Sequence, residues 1–388
     1  MASEEPQVTS PVARAEPFRL FFPLGVVLGW MGIGHWLLYT LGITTSYSCV
    51  VHGTIQMQAF MMAFAVGFLM TAIPRRTQAS PASGAEISMA AFLLVCTTAA
   101  ATADQPVMAQ LSYGGLFVLL LVFAIRRFRG RASGRRPPAA FVLIPIAALL
   151  GVAGALLNIL ASRPGASDSA AGLGRLLVEQ GVFLCLTVGI GSLVLPLMGG
   201  ATPPPDLGSS RRESWKAGAY GAAGAAICAS LVAEQLGWHR SGPLLRALVV
   251  LAALALGAGT WRPPGKPGLH RQVVWLATWL IPLGLAASGL WPDYRVPALH
   301  IVFIGGFSLL AFGVATHVTL AHLDLEALGQ GRPPAVAILA TMLLAAMAAR
   351  VSADGTDAYF AHLGWAAALW LVGSAVWLLF VMPKLLRR

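Results

Sequence analysis

Uncharged runs of about twenty residues recur along the whole chain, separated by short loops rich in Pro, Gly and Arg. Twelve such runs lie near 20–41, 50–73, 87–104, 109–127, 140–162, 172–199, 215–236, 243–260, 271–290, 296–322, 333–351 and 362–382. About 20 apolar residues, rising about 1.5 Å each in a helix, match a hydrocarbon core of about 30 Å. Helix is the expected form, because each helix satisfies its own backbone hydrogen bonds in lipid. The runs also lack the alternation, about ten residues long, that marks a strand of a membrane barrel. The seventh and eighth runs are the weakest, being rich in Ala and Gly and interrupted by Glu234 and Gly237. The pattern predicts an all-α, polytopic integral membrane bundle of about twelve transmembrane helices. A single transmembrane domain over 17–388 follows a short disordered tail over 1–16, where Glu4, Glu5 and Glu16 stand among Ala, Ser and Pro.

Composition agrees with this and charge adds an orientation. Only 11% of the 388 residues are charged and 57% are hydrophobic, against about 25% charged in an ordinary soluble domain. The net charge of +11 does not point to nucleic acid, because the basic residues sit between the runs, as the positive-inside rule expects. With both termini cytoplasmic, only Arg163, Arg175, Arg240, Arg246, Arg295 and Arg350 of the 26 Lys and Arg fall on the opposite side. Removing one span would invert every later loop and scramble that division. The first apolar run is full length and begins after Arg19 without a basic start, so no signal peptide is expected. The stretch 129–138, RGRASGRRPP, is a basic loop suited to anionic lipid headgroups.

Motifs exclude several classes of chemistry. Cys49, Cys96, Cys185 and Cys228 are scattered singletons, so neither a zinc site nor a disulfide framework is expected, and they read as buried thiols. No phosphate-binding loop, dinucleotide fingerprint or calcium loop is present.

Ionisable residues inside a span are expensive and therefore candidates for function. His35 lies about 22 Å along the first run, near its outer end. His52 opens the second run, His300 enters the tenth, and His362 enters the twelfth. These four histidines, with Glu179 and Gln180, share one layer on the outer side. Imidazole is a natural ligand of haem iron and of copper, and convergence of such residues within a helix bundle is how these sites are built. A lone intramembrane histidine is equally a helix-to-helix hydrogen-bond partner. His317 and His322 lie at the cytoplasmic end of the tenth run, His317 about 25 Å from His300. Their spacing, about 140° around a helix, does not put both on one face. His239 and His270 stand beside loops and read as solvated. His52 and Gln56 share a face of the second run, near Met57, Met61 and Met62, which read as packing.

Four segments carry a family resemblance. They are PFRLFFPLG (17–25), His52 followed by GFLMTAIP (67–74), EQGVFLCLTVGIGSLVLPLMGG (179–200) and LHIVFIGGFSLLAFGVATHVTLAH (299–322). Together they resemble the NnrS family of bacterial inner-membrane proteins across essentially the whole chain, and the last is the most specific. The resemblance implies a multi-pass inner-membrane protein containing haem b, and copper as a second metal, with a role in nitric oxide metabolism or resistance to nitrosative stress. His52, His300 and His322 occupy matching positions and become the implied metal ligands. His35 and His362 are added as members of a variant ligand set. In the second helix the family commonly reads HxHEM; here Thr54 replaces the second His and Ile55 and Gln56 follow, so one ligand and the acidic residue are absent.

Two further classes fit the same pattern. A transporter without a redox centre would place its site near the midplane between repeats, and Pro23 and Pro282 interrupt spans in a way that suits it. A haem-carrying anchor subunit of a respiratory complex would leave the chemistry to another chain. Nothing here binds flavin or nicotinamide, so electrons for any reduction would come from quinol or a redox partner protein. The charge division predicts that a reporter fused at Arg388 reads as cytoplasmic; an external reading would overturn the twelve-span topology.

Overall fold

The computed structural model describes residues 16–386, apart from 133, 135, 166 and 203. The expected disordered tail, apart from Glu16, lies outside the described residues. Among those residues there is no strand, and eleven helices are long and apolar enough to cross a membrane. They are α1 (Pro17–Thr40), α2 (Cys49–Thr77), α3 (Gly84–Thr102), α4 (Pro106–Arg129), α5 (Ala139–Ala161), α6 (Asp168–Gly199) and α7 (Arg211–Gln235), then α9 (Leu269–Leu290), α10 (Pro292–His322), α11 (Pro334–Gly355) and α12 (Tyr359–Leu385). Between α7 and α9 runs the shorter apolar helix α8 (Ser241–Gly257). The chain is thus a multi-pass membrane protein embedded in the lipid bilayer. Of the two weak runs, the seventh makes a full span and the eighth falls short, ending in a π turn over Ala253–Gly257.

Consecutive helices pack side by side, and α12 returns against α1 to close a ring. The helices most enclosed by protein are α2, α6 and α10, every fourth in the chain. Each contains a π-helical segment near its first residues: Thr54–Met61 in α2, Leu177–Gly181 in α6 and Ile301–Ser308 in α10. A π segment inserts one residue into the helical turn, and such bulges recur at functional sites. In α10 the Ser308 hydroxyl donates to the Phe303 carbonyl at 2.9 Å.

Polar side chains explain why α2 lies inside, since amides facing lipid would go unsatisfied. Gln56 Nε2 donates to the Gly29 carbonyl of α1 at 2.8 Å. Gln58 accepts from Gln110 Nε2 of α4 at 2.9 Å, and Gln110 accepts from Asn158 Nδ2 of α5 at 3.3 Å. Bonds of this kind average about 0.6 kcal/mol in membranes, so they fix register more than they hold the bundle together. Close approach matters as much: a Cβ at Gly32 would sit 2.6 Å from Gln56 Nε2 and 2.9 Å from Ile55.

The middle of the bundle is filled by rings. Phe60 and Phe64 of α2 meet at 5.2 Å between centroids, Phe64 meets Phe312 of α10 at 5.3 Å, and Phe312 meets Trp377 of α12 at 5.0 Å. At the face holding most of the basic residues, Arg127 grips Glu86 through Nη1 at 2.5 Å and Nη2 at 2.6 Å. Ser83 and Glu86 form a capping box that starts α3. Arg76 pairs with Asp206, and Arg271 donates to the Met198 carbonyl. These contacts fasten the helix ends at that face.

Gly32→Val is expected to lower stability by about 1–3 kcal/mol through overpacking. Gly34→Val, where a Cβ meets nothing within 4 Å, should be close to neutral. Thermal unfolding in detergent checks both, and equal effects would remove the close α1–α2 contact from the account.

Candidate functional site

The three π-interrupted helices surround a cavity of about 580 Å³ at the opposite face from the basic loops. His52 enters it from α2. Its Nδ1 lies 2.8 Å from the Gly32 carbonyl, which only accepts, so Nδ1 carries the proton. In the neutral ring Nε2 then holds the lone pair, and Nε2 has no hydrogen-bond partner among the described residues. His300 enters from α10 in the same state, with Nδ1 2.8 Å from the Val296 carbonyl one turn earlier. A ring whose Nδ1–H is held by a carbonyl while Nε2 stays open is the arrangement of metal-ligating histidines.

Glu179, inside the π segment of α6, reaches the same cavity. Its Oε1 lies so near α2 that a Cβ at Gly53 would come within 3.2 Å; glycine beside His52 makes room for the carboxyl group. The deep wall is apolar, formed by Phe60, Met61, Phe303 and Trp370, each farther along its helix than His52, His300 or His362. Phe60 and Trp370 meet edge to face at 5.2 Å and separate the cavity from the ring-filled middle.

The remaining candidates are placed differently. His35 stands behind His52, with centroids 6.1 Å apart, and does not line the cavity. His362 pairs through Nδ1 with the Ser352 hydroxyl at 2.9 Å and also stays outside. Gln180 is buried beside Glu179, and neither of its side-chain polar atoms has a partner among the described residues. His322 lies at the other end of α10, edge-on to Phe18 at 5.1 Å, with Nδ1 bonded to the Val318 carbonyl at 2.8 Å. It cannot share an ion with His300, 22 residues away along one helix, or about 33 Å. Among the described residues no group of three or more His, Cys, Asp or Glu converges as a metal site.

Two features escaped the sequence. His270 is 1% exposed rather than solvated, because α9 begins beneath the loop carrying Gly329, whose carbonyl faces Gly268. Its Nε2 lies 3.2 Å from His317 Nδ1, with centroids 5.4 Å apart and planes within 20°. These values describe a nearly in-line imidazole–imidazole hydrogen bond. The second is an ion network beside the cavity. Glu234 of α7 accepts from Arg246 of α8 and, at 2.6 Å, from Arg295 Nε of α10. In sequence Glu234 and Gly237 only interrupt a weak span; the missing signal was the identity of the partners, which lie on other helices.

A family model described as "NnrS protein" matches residues 13–388. The chain belongs to the NnrS family. The match covers all four segments on which the resemblance rested, and with them His52, Glu179, His300 and His322. No curated protein matches the chain. In this NnrS-family protein the matched segments build the α2, α6 and α10 walls of the cavity.

Glu234→Ala is expected to destabilise the protein by about 3–5 kcal/mol, because it strands buried arginine charge. Adding Arg246→Met should recover part of the loss in thermal unfolding. Wild-type stability of Glu234→Ala would show that the network holds nothing.

Proposed function

We propose that this NnrS-family protein binds haem b in the α2–α6–α10 cavity, between His52 and His300, and serves nitric oxide metabolism or nitrosative-stress resistance in the bacterial inner membrane. The observation that carries this reading is the matched state of the two histidines. Both commit Nδ1–H to a backbone carbonyl and leave Nε2 to one cavity. The residues fit the group: imidazole is the common protein ligand of haem iron, about 580 Å³ lies within the usual range of about 300–1,000 Å³ for small-molecule sites, and the deep wall is apolar and aromatic.

When bound, haem would supply iron able to coordinate nitric oxide at a position that His52 or His300 gives up. The chain supplies the rest. The carbonyls of Gly32 and Val296 fix the tautomer and plane of each ring. Phe60 and Trp370 keep water from passing toward the middle. Glu179 is the one cavity-lining carboxyl group not held by an arginine bond among the described residues, so it can hold or release a proton at Oε1, close to Gly53 and His52. Electrons come from quinol or a partner protein. A transporter would need its site near the midplane, where Phe64, Phe312 and Trp377 are packed ring against ring.

His52→Ala and His300→Ala are each expected to lower haem content to less than half while the protein still inserts. Full haem stoichiometry in both variants would sink the assignment. It is measured as haem per protein, with insertion checked by membrane fractionation.

A further inference from the structure

The cavity has two unlike ends. Its deep wall is apolar, whereas Arg175, Arg295 and Arg350 stand along its lining from α6, α10 and α11. Arginine is costly in a membrane span and marks a binding role by default.

The ion pairs of Arg295 and Arg350 leave part of each guanidinium group uncommitted. Glu234 is shared between Arg295 and Arg246, and Arg246 is fully buried with Nε and Nη1 unpartnered. One carboxylate therefore serves two guanidinium groups. Arg295 spends Nε on Glu234 at 2.6 Å, and its two terminal nitrogens make no hydrogen bond among the described residues. Arg350 is 7% exposed and bonds Asp354 through Nη1 at 2.6 Å, which leaves Nη2 uncommitted. Arg246, Arg295 and Arg350 share the two carboxylates of Glu234 and Asp354, while Arg175 is exposed to solvent. Arg295 keeps 32% of its side chain exposed while Arg350 is nearly enclosed, so their uncommitted nitrogens stand at the open edge of the cavity, where an anion can meet them.

An apolar depth with a surplus of guanidinium groups fits a ligand with an apolar body and carboxylates along one edge. We propose that Arg295 and Arg350 anchor the two propionate carboxylates of the haem, so that its propionate edge faces the α10–α11 side and its apolar edge faces Phe60 and Trp370. This rests on the haem reading above and adds to it which residues select the ligand and how it is turned. Guanidinium groups suit the task because their planar forks meet carboxylates in paired hydrogen bonds. The Arg246–Glu234–Arg295 chain acts by positioning: Glu234 holds Arg295 at Nε and leaves its outer nitrogens for the ligand.

The test compares haem with its dimethyl ester, in which both carboxylates are blocked. Full-length protein from haem-deficient cells is titrated with each, following the Soret band and quenching of tryptophan fluorescence, since Trp370 lines the cavity. Wild type should bind haem at least about tenfold more tightly than the ester, the ratio set by roughly one lost charge-assisted contact. Arg295→Met and Arg350→Met should each reduce that preference, and the double variant should abolish it, while ester affinity stays unchanged, which also reports that the variants are folded. Arg350→Lys should keep a partial preference. Equal wild-type affinity for haem and ester would overturn the anchor and leave the haem reading standing. Binding of neither compound would overturn both.

Discussion

The cavity and the helices around it depend on how closely α1 and α2 meet. Gln56 and His52 stand one turn apart on α2 and bond the carbonyls of Gly29 and Gly32, about one turn apart on α1. Side chains at those glycines would drive the helices apart: a Cβ at Gly29 would meet Trp370 at 2.8 Å. The same contact therefore sets the depth of α2, draws α12 inward, and fixes the tautomer of His52. A histidine held this way has one nitrogen left, and it opens on the cavity.

The π segments follow from the same need to aim side chains. An α-helix carries residues past a fixed point at about 100° per residue, and an inserted residue resets that phase. In α2, α6 and α10 the reset comes within or just after the stretch bearing His52, Glu179 and His300. Below it, Phe60, Phe64 and Phe312 turn toward the bundle axis and pack against Trp370 and Trp377. One end of the molecule is thus a cavity with polar groups and the other a dry core tied off by arginine contacts.

Much of the fold was legible because lipid imposes a single rule, that each span be long, apolar and helical. That rule located the helices and put His52, Glu179 and His300 in one layer. It could not say which residues of the layer turn inward. His35 and His362 share the depth of His52 but face Trp36 and Ser352 respectively, since rotation about a helix axis depends on neighbours chosen by tertiary packing. The Glu234–Arg246–Arg295 network and the His270–His317 bond were hidden for the same reason. Each joins residues from different spans, and a hydropathy pattern holds no information about which span lies beside which. The π segments have no sequence signature at all in such uniformly apolar runs.

The most direct measurement is the optical spectrum of the detergent-purified protein, oxidised and then dithionite-reduced, with iron and copper analysis on the same sample. A protein whose His52 and His300 hold haem b gives a Soret band, sharp α and β bands on reduction, and iron in stoichiometric amount, and its spectrum shifts on titration with nitric oxide. A featureless spectrum without bound metal, from cells supplied with ample haem, would contradict the account and leave a membrane bundle whose cavity serves some other ligand.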